Sequence, residues 1–178
     1  MADDPPDDRR RVPFEESHPH LKEFTAFLPE LNKETDRGMA LIATSFIDEL
    51  LRRILLAFFL EGETSKSLVE GFNAPLGTFS TRIAAAAALA LISETECREA
   101  NYLRKIRNLF AHNVHVSFSD KHVIDMCRNL RMAAPDYGDV IVGSRGQFST
   151  SAVALILNLT NRPHYVSKHR RQFTGWPS

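Results

Sequence analysis

The sequence predicts an all-α protein, an irregular bundle of six to seven helices without a significant sheet. Three observations lead to this fold class. Apolar residues recur at helical spacing along most of the chain, capping signals precede several of these stretches, and no segment shows convincing strand alternation. The composition agrees, because 43% apolar and 25% charged residues in a chain of 178 are ordinary for one globular domain.

The first two predicted helices differ in how much of their surface is apolar. A short helix is expected over about 19–28, where Pro29 ends it. The second and longest helix covers 38–60, after an N-cap at Thr35 or Asp36. Its apolar positions form a wide stripe with a period of about 3.6 residues, which indicates a mostly buried helix.

Three further helices are predicted in the middle of the chain. A short one covers 65–70, and the next covers 78–92. The helix over 78–92 contains five consecutive alanines at 84–88, which favour helix and let a neighbouring helix approach closely. A capping box at 93–96 then starts a helix that ends near His112.

The last third of the chain predicts two helices separated by a loop. The first of these helices covers about 120–132. The loop at 134–147 contains one proline and three glycines and carries at most one short strand, at 140–142. The last helix begins at 149–151 and ends near Asn161.

The chain divides into one domain and two tails. Residues 1–17 are charged and contain prolines, so we expect a disordered tail there. Residues 18–162 form the single helical domain, and 163–178 are expected to be a basic tail. No signal peptide is recognisable, and the apolar runs at 54–60 and 83–92 are shorter than the ~20 residues that cross a bilayer. We therefore expect a cytoplasmic protein with no membrane contact.

The overall charge excludes a globally basic nucleic-acid binder. Twenty-two Lys and Arg balance twenty-two Asp and Glu. The charges are uneven along the chain, because residues 1–90 hold ten basic and fifteen acidic residues while 91–178 hold twelve and seven. The second half could therefore build an electropositive face, unless folding mixes the two halves.

The end of the helix at 104–112 carries the residues best suited to chemistry. Arg104, Asn108 and His112 lie at i, i+4 and i+8 and form one polar stripe. Arg107 lies about 140° around and roughly 7.5 Å along the axis from His112, a separation that a long side chain can bridge. Arginine for phosphate and histidine for proton transfer suit metal-independent phosphodiester cleavage. In the alternative interpretation these residues are structural and stabilise the C-terminal end of the helix.

Two carboxylates interrupt the apolar stripe of the longest helix. Asp48 and Glu49 lie on a helix that is otherwise mostly buried, where a carboxylate usually needs a cationic partner. Arg104 or Arg107 could be that partner, and the pair would then also orient the arginine. No metal-ligand pattern, phosphate-binding glycine loop or helix-turn-helix is evident, so we expect neither a metal nor another cofactor.

One stretch of the sequence resembles a known family. Its residues are Pro75, Leu76, Gly77, Thr78, Phe79, Ser80, Thr81 and Arg82. Together with softer matches elsewhere, they are similar to the mannitol operon repressor family over about residues 20–160. The softer matches include Asp36, Arg37, Gly38, Asp48, Glu49 and the segments 107–112 and 118–120.

The resemblance implies an all-helical, cytoplasmic bacterial regulator that represses genes for sugar-alcohol uptake. The family lacks a recognised DNA-binding motif, so the regulator would act through DNA by an unusual surface or through a protein partner. We expect a homodimer, for which the longest helix and the alanine-rich helix offer surfaces. This regulator is the main functional hypothesis from the sequence.

The segment 107–112 also resembles the R-x(4–6)-H motif of the HEPN superfamily, many of whose members are metal-independent ribonucleases with a site shared across a dimer. The resemblance implies that Arg107 holds phosphate, His112 moves protons and Asn108 supports them. Asp48 or Glu49 would orient the arginine. The alternative hypothesis is therefore a toxin or defence ribonuclease acting on RNA, and a third is an interaction module with neither activity.

Overall fold

The structure is a computed structural model that describes residues 17–177, apart from the side chain of His20. The predicted tail at 1–17 thus lies outside the described residues except for its last residue. Residues 17–177 contain eight α-helices, one short 3-10 helix and no strand, which confirms the all-α fold class. The 3-10 helix is Pro19–Leu21, and the α-helices are α1 (Lys22–Lys33), α2 (Asp36–Phe58), α3 (Glu63–Val69), α4 (Phe79–Ala88), α5 (Glu94–His112), α6 (Lys121–Cys127), α7 (Ser144–Thr160) and α8 (Arg162–Ser167).

Helix α2 is the centre of the bundle. It packs against α4, α5, α7 and α8, because apolar side chains cover most of its circumference. Ile47, Leu51 and Ile54 are among its fully buried residues. Full burial of each such side chain contributes about 1.5–3 kcal/mol to the free energy of unfolding. The remaining helices are thereby placed around one core.

Local capping signals position the starts of three helices. The Thr35 side chain accepts a hydrogen bond of 3.1 Å from the Gly38 amide and begins α2. The capping box that the sequence predicts at the start of α5 is confirmed, with Ser93 and Glu96 each bonding the other's backbone amide. Thr78 begins α4 in the same reciprocal way, with Thr81 as its partner.

The predicted end of the first helix at Pro29 is wrong. Pro29 lies inside α1, which continues to Lys33. A proline within a helix loses one backbone hydrogen bond. Here Phe24 and Leu31 are buried on one face of the same helix, and their burial offsets that loss.

The alanine-rich helix is shorter than the sequence predicts. It ends at Ala88, and Ala90 adopts a left-handed conformation with φ of 55°. The Ala90 amide bonds to the Ala87 carbonyl and the Leu91 amide to the Ala86 carbonyl, which is the Schellman arrangement. No glycine marks this end, so the sequence pattern continues through it.

The last third of the chain differs from prediction at several boundaries. Helix α6 ends at Cys127, and after the turn that follows it the backbone amides of Arg131 and Met132 bond to the Glu99 carboxylate. Helix α7 begins earlier than expected, at Ser144. The expected strand at 140–142 is reduced to one isolated bridge between Tyr137 and Val140.

The domain also extends beyond residue 162, where the sequence predicts the basic tail to begin. Helix α8 buries Val166 against the bundle. Further on, the Arg171 amide donates to the Phe58 carbonyl at the end of α2, 2.8 Å away. These contacts place part of the predicted tail within the folded unit.

Candidate functional site

The residues at the start of α2 that resemble the regulator family form a structural joint. One Asp36 carboxylate oxygen, Oδ2, accepts from the Phe118 amide at 3.2 Å, and the other pairs with Arg145 at the start of α7. Arg37 donates to the Asn113 carbonyl at 2.6 Å, just after α5. A Cβ atom on Gly38 would lie 1.9 Å from Glu34 Oε2. These contacts tie the start of α2 to the segment after α5 and to α7.

The turn before α4 is held by Arg82, whose side chain is only 11% exposed. Its Nε donates to the Leu76 carbonyl and its Nη2 to the Val69 carbonyl, both at 3.0 Å. Its Nη1 lies 2.9 Å from Asp48 Oδ2 on α2. One guanidinium therefore connects the turn, the end of α3 and the central helix.

Glycine and phenylalanine complete this turn. A Cβ atom on Gly77 would lie 2.9 Å from the Ala74 carbonyl oxygen, so a larger residue would force the backbone to shift. Phe79 is buried beneath the first turn of α4, whereas Pro75 and Ser80 are exposed. The motif thus fixes the N-terminal end of α4 and leaves its outer side open.

A polar pocket of about 330 Å³ lies between this turn and α5. It brings together side chains from α2, α4 and α5 that the sequence singles out. Its lining residues are Asp48, Gly77, Thr78, Phe79, Ser80, Arg104, Arg107 and Asn108. The pocket therefore combines residues of the 75–82 motif with Arg104 and Asn108 of the predicted polar stripe on α5.

The two pocket arginines have few partners. Arg107 Nη1 donates to Asn108 Oδ1 at 3.0 Å, and Arg104 Nη2 donates to Asn101 Oδ1 at 3.4 Å. Neither arginine forms an ion pair with a carboxylate of residues 17–177. The Nε atoms of both, and Asp48 Oδ1, are buried without a hydrogen-bond partner in this part of the chain. Such unmet polar groups are costly in a protein interior.

The two carboxylates that the sequence singles out on α2 behave differently. Burial raises the pKa of the Asp48 carboxyl, and the favourable charges of Arg82 and Arg107 offset this only in part. Hydrogen bonds from Arg52, against the opposing effect of burial, lower the pKa of Glu49 to about 2. Glu49 also accepts from Arg53 at 2.8 Å and does not line the pocket.

The structure therefore corrects the predicted partner of Asp48. The sequence favours Arg104 or Arg107, but Asp48 pairs with Arg82 from its own family-like motif. Thirty-four positions separate these two residues, so no local spacing indicates the pair. The signal that could have found it is the position of Arg82 at the end of the 75–82 stretch.

His112 does not join the other candidate residues. It is the last residue of α5, it is exposed, and it is not among the residues lining the pocket. The pocket residues Arg104, Arg107 and Asn108 carry donors of the kind that bind oxyanions. It lacks the imidazole that the predicted proton transfer requires.

The chain is thus an all-helical bundle built around one central helix, and an arginine-lined pocket lies beside that helix. A chain of the MtlR–HPr complex from Escherichia coli, determined by X-ray crystallography, has a similar fold. The similarity has a TM-score of 0.56 at 21% sequence identity and covers 80% of this chain and 97% of that chain.

Other comparisons bear on the family and on membranes. No protein-family model matches this sequence, and no curated protein does. None of the helices within residues 17–177 combines the length and the apolar character that crossing a membrane requires.

Proposed function

We propose that this chain is a bacterial transcriptional regulator of the mannitol operon repressor type and that it acts through a protein partner. The observation that carries the proposal is the fold shared with a chain of the MtlR–HPr complex, over nearly the full length of that chain. The 75–82 motif supports it, because those residues build a fixed turn beside a pocket.

The distribution of charge favours a protein partner over DNA. DNA binding needs lysines and arginines that are free to neutralise phosphates. Many arginines of this chain are instead engaged with its own carboxylates. They are Arg52, Arg53, Arg82, Arg128, Arg145, Arg162 and Arg170. The net charge of zero and the absence of an evident helix-turn-helix point in the same direction.

The partner that we propose is an HPr-type protein, by analogy with the complex of the structural neighbour. The test is isothermal titration calorimetry of the full chain with purified HPr from the same bacterium. An unrelated protein of similar size and charge serves as the control. We expect saturable binding of HPr alone, and its absence at high protein concentration would overturn the proposed partner.

DNA binding is tested in parallel with promoter duplexes over a range of salt concentrations. We expect weak binding without sequence preference. Tight, sequence-specific binding with a steep salt dependence would instead show direct action on DNA.

A cytoplasmic homodimer is part of the same proposal. Sedimentation equilibrium of the full chain at several concentrations measures the oligomeric state.

The ribonuclease hypothesis has one observation in its favour and one against it. Arg107 and Asn108 line an open pocket, but His112 does not. We therefore expect no RNA cleavage in EDTA by the wild-type chain. Cleavage that yields 2′,3′-cyclic phosphate ends and is lost in both His112→Ala and Arg107→Ala would establish the ribonuclease instead.

A further inference from the structure

Arg104 and Arg107 form no ion pair with a carboxylate of residues 17–177, although the charge of Asp48 acts on Arg107. Both side chains are partly buried, and both line the same pocket on α5. Asp48 lines the same pocket, and its Oδ2 pairs with Arg82, so its single negative charge is shared between Arg82 and Arg107. Placing two cations side by side in a partly buried pocket without an anion is unfavourable. The arrangement is favourable once an anion occupies the pocket.

Several donors around the pocket remain available for such an anion. Among residues 17–177, Arg104 Nη1, Arg107 Nη2 and Asn108 Nδ2 have no hydrogen-bond partner. Guanidinium groups are well suited to oxyanions, because each presents a planar set of N–H donors. The three side chains that carry these donors all line the same pocket.

The start of α4 adds a second source of positive potential. This helix has ten residues, and its first two, Phe79 and Ser80, also line the pocket. The Thr78 side chain caps the Thr81 amide, while the Phe79 and Ser80 amides have no acceptor within residues 17–177. Free amides at the N-terminal end of a helix favour a bound anion.

We propose that this pocket binds a small phosphate monoester, with the phosphate oxygens held by Arg104, Arg107 and the first turn of α4. A volume of about 330 Å³ fits a phosphate group with a short organic remainder, at the lower end of the range for ligand pockets. The doubly charged phosphate matches the positive charge that Arg82, Arg104 and Arg107 carry together in excess of Asp48. The site goes beyond the proposed function, because it would let a phosphorylated metabolite act on the regulator, and its test requires no protein partner.

The test is isothermal titration calorimetry of the full chain in phosphate-free chloride buffer at constant ionic strength. Three probes separate the chemistry: glycerol 3-phosphate, inorganic phosphate and glycerol. We expect saturable binding of glycerol 3-phosphate, weaker binding of inorganic phosphate and none of glycerol. Binding of inorganic phosphate alone would overturn the monoester, and no saturable binding of either phosphate compound would overturn the site.

Variants on one helix connect the binding to the pocket. Arg104→Gln and Arg107→Gln should each weaken glycerol 3-phosphate binding at least tenfold. Arg98→Gln is the matched control on α5, since Arg98 lies over the Tyr102 ring, 5.7 Å from its centroid, and outside the pocket. It should change the affinity less than twofold. Equal affinity in all variants would place any binding elsewhere and overturn the proposal.

Thermal melting keeps the test decisive if a glutamine variant folds poorly. Glycerol 3-phosphate should raise the melting temperature of the wild type and of Arg98→Gln in a concentration-dependent way. Arg107→Lys, which preserves the charge but not the planar donor set, should show a reduced shift. An unchanged melting temperature of the wild type at saturating probe would contradict the site, whatever the variants do.

Discussion

Two carboxylates, the buried Glu99 and the partly buried Asp48, have opposite surroundings. Glu99 on α5 is fully buried, and its Oε1 accepts from Ser151 Oγ at 2.7 Å and from the Met132 amide at 3.0 Å. Its Oε2 accepts from the Arg131 amide at 3.0 Å. Asp48 on α2, in contrast, has one oxygen paired with Arg82 and one without a partner among the described residues.

The difference separates a polar cluster that maintains the fold from one that is incomplete on its own. Every oxygen of Glu99 is engaged with the protein, so this cluster connects α5, α7 and the segment after α6. At the Asp48 pocket, Arg104 and Arg107 retain unmet donors. Complete buried networks rigidify a core, whereas a partly satisfied one leaves donors that water or a bound anion can occupy.

The largest effect is expected where the network is complete. Glu99→Ala removes the acceptor for two backbone amides and one hydroxyl, which then lie buried and unsatisfied. The free energy of unfolding should fall by at least about 3 kcal/mol, since each unmet buried donor costs about 1–3 kcal/mol. Urea unfolding measures the loss. A loss below about 1 kcal/mol would show that the segment after α6 relaxes and satisfies its own amides.

Arg82 pairs with the pocket carboxylate Asp48 and also supports the turn before α4. Arg82→Gln removes the ion pair with Asp48 and loosens the turn before α4, because two carbonyls lose their donor. We expect the free energy of unfolding to fall by about 2–3 kcal/mol. Arg128→Gln, in an exposed pair with Asp125, is the control and should change it by less than about 0.5 kcal/mol. If both variants lowered the free energy of unfolding equally, Arg82 would not stabilise the turn beside the pocket.

Adjacent carboxylates on α2 should affect the acid stability of the protein in opposite directions. The pKa of Glu49 is about 2 in the folded state against an ordinary 4.5, so its stabilising contribution is present above pH 4.5 and is lost as the pH falls towards 2. Glu49→Gln should flatten this acid loss by about 1 kcal/mol or less, because Glu49 is a third exposed and its ion pairs are screened.

Asp48 provides the contrasting case. Its pKa is raised, so the folded state gains stability as the pH falls through that pKa towards 3.8. Asp48→Asn removes this gain and should make the acid loss steeper. Urea midpoints between pH 2.5 and 6 distinguish the two variants, and a change of the same sign in both would contradict the different surroundings assigned to these neighbours.

Signals between residues close together in the sequence were sufficient to predict much of the fold. The capping box of Ser93 and Glu96 involves residues three positions apart, and the apolar stripe of α2 is visible within one segment. The grouping of Arg104 with Asn108 follows from helical spacing, and both line the pocket. These features depend on neighbours along the chain, which a sequence pattern records.

The remaining features depend on contacts between distant residues. Asp36 pairs with Arg145 across 109 positions, in the first turn of α7, which begins before its predicted start. The amides that end α6 bond to Glu99, more than 30 positions earlier. Ala90 adopts a left-handed turn that usually signals glycine. Neither apolar periodicity nor capping rules can predict such contacts, because both describe only residues close together in the sequence.

The most direct test of the comparison is the same arginine-to-glutamine substitution, made once in a complete ion pair and once in the pocket. Arg162 pairs with the buried Glu96 at 2.7 Å, whereas Arg107 has no carboxylate partner within residues 17–177. Arg162→Gln should lower the free energy of unfolding by about 2 kcal/mol, and Arg107→Gln should change it by less than about 1 kcal/mol. Urea unfolding of the two variants beside the wild type gives both values. Equal losses in the two variants would show that Arg107 serves the fold and would contradict a pocket reserved for a ligand.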